Sequence, residues 1–395
     1  MIERNALMVI SHERCFSDGA AFYCENRFTP MLLAAVNSQT SYCEVLLVVP
    51  VNELADGNTN SLFKMDLGRV KIHPLPSFYR MHSTLTPTGM WTCFKFAWRF
   101  RNIINAGWRC MFVSLTPLPL QIWFWFRVMA GQEFSDRSVY YIRSYLAEEL
   151  LVKKSWVRHF SRIAHRVEAF VAARSNLIVV SDGAEKKFAA ISKRQVFRVT
   201  PSVLNDAWLG HSEERRKDTL DIRLLFVGRL VDEKRIDYLI EAAALLQQSG
   251  QAVQVKIVGD GRLEETLQAL ADQLQVEIEF CGMVVSESAL IALYDWSDLV
   301  ILPSATEAYS KVLDEALARG RPVVASSVLA RERKDLPGSM VLFSPDTAKG
   351  LADAIRYAGN NYAELVTRTL SDRERLSSQE QFGERLSLIL AGLGQ

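Results

Sequence analysis

Apolar residues in the second half of the chain fall in short, nearly unbroken runs: Ile222–Val227, Val253–Val258, Val276–Cys281, Leu299–Leu302 and Val323–Ala325. Each run is strand-length and rich in β-branched residues, which predicts strands covered on both faces. Between them, Ile236–Gln248, Leu263–Leu274, Ser288–Tyr294 and Ser310–Ala318 have helix-forming composition. This alternation predicts a parallel sheet whose right-handed crossovers bring all strand C-terminal ends to one edge. Open α/β sheets bind their ligands at that edge.

The first half repeats the rhythm less cleanly, with predicted strands at Ala6–Ile10, Val45–Pro50, Met111–Ser114, Val139–Ile142 and Leu177–Val180. Its middle is aromatic and basic, from Trp91 to Arg109. A chain of 395 residues exceeds what one hydrophobic core comfortably serves, so two α/β domains are expected. We place them at 1–205 and 221–375, joined by a charge-dense linker at 206–220 within NDAWLGHSEERRKDTL. Residues 376–395 are expected to form a helix packing back toward the first domain.

Composition narrows the class. Hydrophobic residues make up 49% and charged residues 23%, which fits a folded globular chain and not a disordered one. The six cysteines form no C-x-x-C pair, which suits reduced thiols in a cytoplasmic protein. The opening residues lack the apolar core of a secretory signal, and no run approaches the roughly 20 apolar residues of a membrane span. A net charge of +1 hides a basic first half and an acidic second half. That split suits either two different partners or mutual attraction across an interface. Leu151–Arg174 reads as a basic helix with an apolar face. Such a helix suits peripheral contact with an anionic membrane at its inner face, and equally a domain helix with one wet side. Nucleic acid is not expected as a partner, because no recognised binding motif accompanies the charge.

The candidate chemistry sits at the sheet edge of the second half. Glu307 lies in the loop before the helix predicted at Ser310–Ala318, and Glu315 lies inside that helix. Helical side chains lean toward the N-terminus, where unpaired backbone N–H groups near Ser310, Lys311 and Val312 favour a phosphate. Carboxylates beside a phosphate site need hydroxyls to hold, and a sugar and a ribose joined by a diphosphate supply both. The plainer alternative pairs Lys311 with Glu315 on the surface. A second loop, Gly228-Arg229-Leu230 through Lys234, offers two cations for a departing diphosphate. In a third, Gly259-Asp260-Gly261, the glycines would let backbone approach a ligand, or form an ordinary turn.

At these residues the chain resembles the group-4 family of retaining glycosyltransferases, most clearly over residues 222–358. The E-x7-E pair of Glu307 and Glu315, the G-R-L-x-x-E-K run, the VGDG turn and the ARGRPVVAS strand stand in the family's order. The resemblance implies a GT-B fold, two Rossmann-like domains facing each other across a cleft. It implies that Gly228, Arg229 and Lys234 hold the donor diphosphate, with Ser310, Lys311 and Val312 beside it. Glu307 would contact the transferred sugar, Glu315 the ribose, and backbone near Met283 the base. Arg229, Lys234 and Glu307 are the candidate catalytic residues. On the acceptor side the family's glycine-rich loop is reduced to Ser17-Asp18-Gly19-Ala20, and Arg143 stands where a histidine is common.

The expected function is transfer of a hexose from a nucleotide-diphosphate sugar to a glycan or lipid-linked acceptor, in cell-surface polysaccharide synthesis. The absence of any Asp-x-Asp, with fixed cations in its stead, predicts a metal-independent enzyme without a cofactor. Two alternatives stand beside it: a non-catalytic nucleotide-sugar-binding protein and a GT-B epimerase of the sugar nucleotide.

Overall fold

The computed structural model describes residues 6–11, 15–24, 28–37, 44–54, 59, 62–75, 109–113, 136–142, 161–202, 204–210, 221–307, 309–332, 336–344, 346–376 and 378–392. These fall into two α/β units. The first comprises 1–147, 162–201 and 379–395, and the second 148–161 and 202–378.

In the first unit the strands are β1 (Ala6–Ser11), β2 (Cys15–Ser17), β3 (Phe22–Cys24), β4 (Glu44–Glu53), β5 (Phe63–Lys64), β6 (Val70–Leu75), β7 (Arg109–Val113), β8 (Ser138–Ile142), β9 (Asn176–Val179) and β10 (Val196–Arg198). Its sheet runs β10-β9-β8-β7-β1-β4-β2-β3-β5, with β6 also on β4. The central strands pair in parallel, and every residue of β1 is buried. Only the small appendage departs: β2 and β3 form an antiparallel hairpin, and β3 pairs antiparallel with β5. The described helices are α1 (Phe28–Asn37), α2 (Ser161–Ala172), α3 (Asp182–Ala189) and, from the chain's far end, Gln379–Gly392. That last helix packs on α1; its Phe382, Leu386 and Leu390 are buried, as are Leu32, Leu33 and Val36 of α1. The basic helix expected from Leu151 is described only from Ser161, and the basic aromatic stretch before Arg109 lies outside the described residues.

The second unit holds β11 (Ile222–Val227), β12 (Val253–Val258), β13 (Ile278–Gly282), β14 (Leu299–Leu302), β15 (Val323–Ser326) and β16 (Met340–Phe343). All pair in parallel in the order β13-β12-β11-β14-β15-β16. The helices are α4 (Asp206–Leu209), α5 (Ile236–Gln248), α6 (Glu264–Leu274), α7 (Glu287–Trp296), α8 (Lys311–Ala318), α9 (Leu329–Glu332), α10 (Ala348–Asn360) and α11 (Tyr362–Arg373); Gln379–Gly392 is therefore α12. The unbroken apolar strands follow from burial on both faces. Ile222, Leu224 and Phe226 join a core with Leu239, Ile240 and Ala243 of α5 and Leu351 and Ile355 of α10. Leu225, between them, turns to the other face and packs with Tyr294 of α7 and Leu313 and Leu317 of α8. Each such side chain contributes about 1.5–3 kcal/mol by leaving water. Residues 206–210, at the start of the expected linker, hold α4 with Trp208 fully buried in this core.

Both sheets are Rossmann-like, and the fold class is the GT-B class the sequence implied. Among the described residues no helix is long and apolar enough to cross a membrane.

Candidate active site

The six parallel strands of the second unit deliver six loops to one edge, and three of these are laced together by backbone. Leaving β11, Gly228 N–H donates to Val258 O at 2.9 Å and Leu230 N–H to Asp260 O at 2.7 Å. Leu263 N–H returns to Leu230 O at 3.2 Å, and Gly259 N–H reaches Gly282 O at 2.8 Å. The glycines make this closeness possible. A Cβ on Gly259 would lie 1.9 Å from Gly228 O, and one on Gly261 2.4 Å from Leu230 O. Their backbones also hold φ of +131° and +157°, the first well inside the range that disfavours side chains. At both glycines the missing side chain makes room for the neighbouring loop.

Beyond Leu230, whose side chain is fully buried, the chain makes a single 3₁₀ turn, Asp232–Lys234. It then enters α5 through Arg235 in the left-handed region at φ 48°, an uncommon state for a residue with a side chain. Ion pairs hold the acids of the turn and the residue after it: Arg262 on Asp232, Arg229 on Glu233 at 3.4 Å, and Asp346 on Arg235. A backbone bond from Ala305 N–H to Glu233 O, 2.8 Å, ties the turn to the loop after β14. That loop is fixed in turn by Ser326 Oγ–H on Ser304 O at 2.6 Å.

This tethering brings together two residues 73 positions apart. Lys234 Nζ lies 2.6 Å from Glu307 Oε2 and 3.5 Å from Ser304 Oγ. The lysine and glutamate side chains are only 20% and 13% exposed, so the pair is more than a surface contact. Ser310 caps α8, its Oγ accepting from Leu313 N–H at 3.3 Å. Lys311 and Val312 form the first turn of α8.

Glu315 sits deeper, at 5% exposure, which removes the alternative of an exposed Lys311–Glu315 pair. Tyr294 Oη–H donates to Glu315 Oε2 at 2.7 Å. The tyrosine ring meets Trp208 edge-on with centroids 5.5 Å apart, and Trp208 Nε1–H donates to Glu287 at 3.0 Å. Arg319, also buried, grips Asp295 with two bonds and donates to the carbonyls of Ala207, Trp208 and Gly210. Met283, half-buried, follows the φ 64° turn at Gly282. Just before it, burial and the adjacent Glu279 push the Cys281 thiol up to about 11.

Arg229, by contrast, is 68% exposed and engages Glu233, not either acid of the E-x7-E pair. In the first unit, Gly19 occupies the exposed β2–β3 turn with φ 88°. Its neighbour Asp18 accepts from Ala21 N–H, Ala20 N–H and the Tyr23 hydroxyl, which hold its carboxyl below the ordinary value. The family's loop after β1 is here a hairpin turn. Arg143 lies outside the described residues. Sequence reasoning missed Ser304 and Tyr294; the latter was visible only as a hydroxyl-bearing aromatic at the end of an apolar helix.

Comparison with known proteins falls on these residues. Residues 221–361 match the model of the family described as glycosyl transferases, group 1. A glycogen synthase of Mycobacterium tuberculosis is 29% identical over 224 residues, covering 55% of this chain and 54% of that protein. The chain spans about half or less of the length of the curated relatives it matches. Among solved structures, a sucrose-phosphate synthase from Thermosynechococcus elongatus superposes with a TM-score of 0.73 at 18% identity, over 98% of both chains. HepE of Anabaena, solved in complex with UDP, gives 0.65 at 16% identity over 98% of this chain and 100% of its own. Over residues 221–361 the chain resembles the group 1 glycosyltransferases in sequence, and over nearly its whole length it shares the fold of these solved structures.

Proposed function

We propose that the protein is a retaining glycosyltransferase that moves a hexose from a nucleotide-diphosphate donor to a glycan or lipid-linked acceptor. The observation that carries this reading is the Lys234–Glu307 pair at 2.6 Å, set between the loops after β11 and β14 and beside the start of α8. It joins a cation suited to a diphosphate and an acid suited to sugar hydroxyls at the sheet edge where such folds bind ligands. The family match over residues 221–361 and the UDP complex of HepE support a nucleotide-sugar donor.

In this reading Lys234 and Arg229 face the donor diphosphate, and Glu307 holds the hexose. Glu315 takes the ribose, with backbone near Met283 against the base. Gly19 and Arg143 serve the acceptor side. The bond between the anomeric carbon and the diphosphate oxygen loosens toward an oxocarbenium ion. The acceptor oxygen then bonds to that carbon, and its proton passes to the leaving diphosphate. Fixed cations stabilise the charge that grows on the diphosphate, a contribution larger in the transition state than in the ground state. No divalent ion is required. Transfer takes place in the cytoplasm, at the inner face of the membrane where the acceptor resides, and serves polysaccharide assembly.

A thermal-shift screen against UDP- and GDP-sugars, followed by transfer of radiolabel to membrane extract in excess chelator, tests the proposal. Stabilisation by one donor with chelator-resistant transfer supports it. Binding without transfer to any acceptor favours the non-catalytic alternative, and conversion of donor without acceptor favours an epimerase.

A further inference from the structure

We infer that Cys15 and Cys24 form a reversible dithiol–disulfide pair that staples the base of the β2–β3 hairpin, whose turn holds Asp18 and Gly19. The two sulfurs stand 3.0 Å apart, and both side chains are fully buried. They meet because Cys15 and Cys24 lie directly opposite each other in the antiparallel pair. Main-chain bonds fix the kind of pair. Ser17 O accepts from Leu54 N–H at 3.0 Å, just past β4, and Phe22 O accepts from Met65 N–H at 2.8 Å, just past β5. Ser17 and Phe22, also opposite, therefore turn their main-chain groups outward, and alternation gives Cys15 and Cys24 the same setting. Opposed residues of that kind have Cα atoms about 4.5 Å apart, within the range of about 4.4–6.8 Å that a disulfide spans. A shared metal ion fits less well, because two thiolates on one zinc at about 2.3 Å each stand about 3.8 Å apart. The third sulfur, Met65 Sδ at 3.2 Å from Cys24 Sγ, is a thioether and takes no part in thiol exchange.

The oxidant is a small-molecule disulfide of the glutathione class. The thiolate of one cysteine attacks it and releases one glutathione thiolate; the other cysteine then attacks the mixed disulfide and releases the second. In sum, two S–H bonds and one S–S bond break and one Sγ–Sγ bond forms. Two glutathione thiols leave with both protons and both electrons. Because both sulfurs are buried, exchange proceeds through opening of the hairpin, whose strands are three residues long. Once formed, the bond restrains that opening by closing the loop from residue 15 to residue 24. A pair of this kind follows the thiol–disulfide balance around the protein and gives this end of the first sheet a reversible lock.

The test holds the full chain in glutathione buffers stepped from reduced to oxidised, with and without urea below the unfolding transition, then alkylates it and digests it with trypsin. Cleavage after Arg14 and Arg27 releases both cysteines in one peptide, 15–27. In oxidising buffer that peptide is expected to be lighter by two hydrogens and to take no label, and dithiothreitol is expected to restore both labels. Phe16 and Tyr23 face each other across the hairpin with their main-chain groups inward, by the same alternation. Exchange of their amides is expected to slow by about ten-fold or more on oxidation, and in Cys15→Ser the slowing is expected to vanish. A peptide that still takes two labels in the most oxidising buffer, with and without urea, overturns the inference, as does a glutathione adduct that persists on either cysteine. Amide exchange unchanged in the oxidised protein, or slowed equally in Cys15→Ser, overturns the staple.

Discussion

Replacing Lys234 with alanine separates two quantities that the structure allows to be worked out. The ammonium is 2.6 Å from Glu307 and lies in a setting where both side chains are at least four-fifths enclosed. Against a diphosphate oxygen about 4 Å away, a unit charge at an effective dielectric of about 20 contributes about 4 kcal/mol. Water that reaches the exposed fifth of the side chain screens part of this. What remains, about 2.7–4 kcal/mol, corresponds to a loss of two to three orders of magnitude in turnover. The same substitution leaves Glu307 enclosed without its cation, which costs about 1–3 kcal/mol of stability. The assay is kcat/KM for transfer of radiolabelled hexose, run well below the unfolding midpoint. Far-UV circular dichroism and a melting curve run alongside it. Turnover within a few-fold of wild type in a folded Lys234→Ala protein would refute the electrostatic role and the reading built on it.

Glu307→Gln tests the other half of the pair. It frees Lys234 from a partner 2.6 Å away, so free nucleoside diphosphate should bind about ten-fold more tightly while transfer falls by at least as much; calorimetry and turnover on one preparation check both signs. Gly259→Ala would place a Cβ 1.9 Å from Gly228 O at a φ of +131°, and a loss of at least about 2 kcal/mol is expected in urea unfolding. Burial pushes the Cys110 thiol up to about 12 from 9.0, with Arg137 pulling weakly the other way. Because the folded value is raised, this stabilisation is whole below about pH 9 and drains away as pH climbs toward 12, to a total of about 4 kcal/mol. Urea midpoints at pH 8 and pH 11 should therefore differ more for wild type than for Cys110→Ala.

The second sheet was legible because burial on both faces leaves a simple mark, an unbroken apolar run of strand length. Even there one boundary slid. Val276 was expected to open β13, but its N–H bonds Ala271 O and its side chain closes the end of α6 after the left-handed Gln275. It is apolar because it seals a helix end, a role that composition alone does not distinguish from a strand start. The hairpin of β2 and β3 escaped notice because strands of three residues carry no period, and its Ser-Asp-Gly-Ala turn read as a loop after β1. β6 and β16 were missed as well. At the site, residue types were readable and their partners were not. Lys234 and Glu307 announced themselves as cation and anion, but their contact depends on Glu233 O holding Ala305 N–H, and backbone bonds leave no trace in side-chain identity. Tyr294 illustrates the same limit from the opposite direction: its hydroxyl matters only because α7 and α8 lie side by side over one face of the sheet.

The interlocked turns after β11, β12 and β13 carry an implication for how such a protein changes its substrate. Three segments sewn to one another through main-chain bonds behave as a single mechanical part. A graft that exchanges one of them from a relative would meet two mismatched neighbours and lose its seams at Gly228, Leu230 and Gly259. Retargeting the donor should therefore succeed either by side-chain replacement upon the existing weave, or by transplanting all three turns as one cassette.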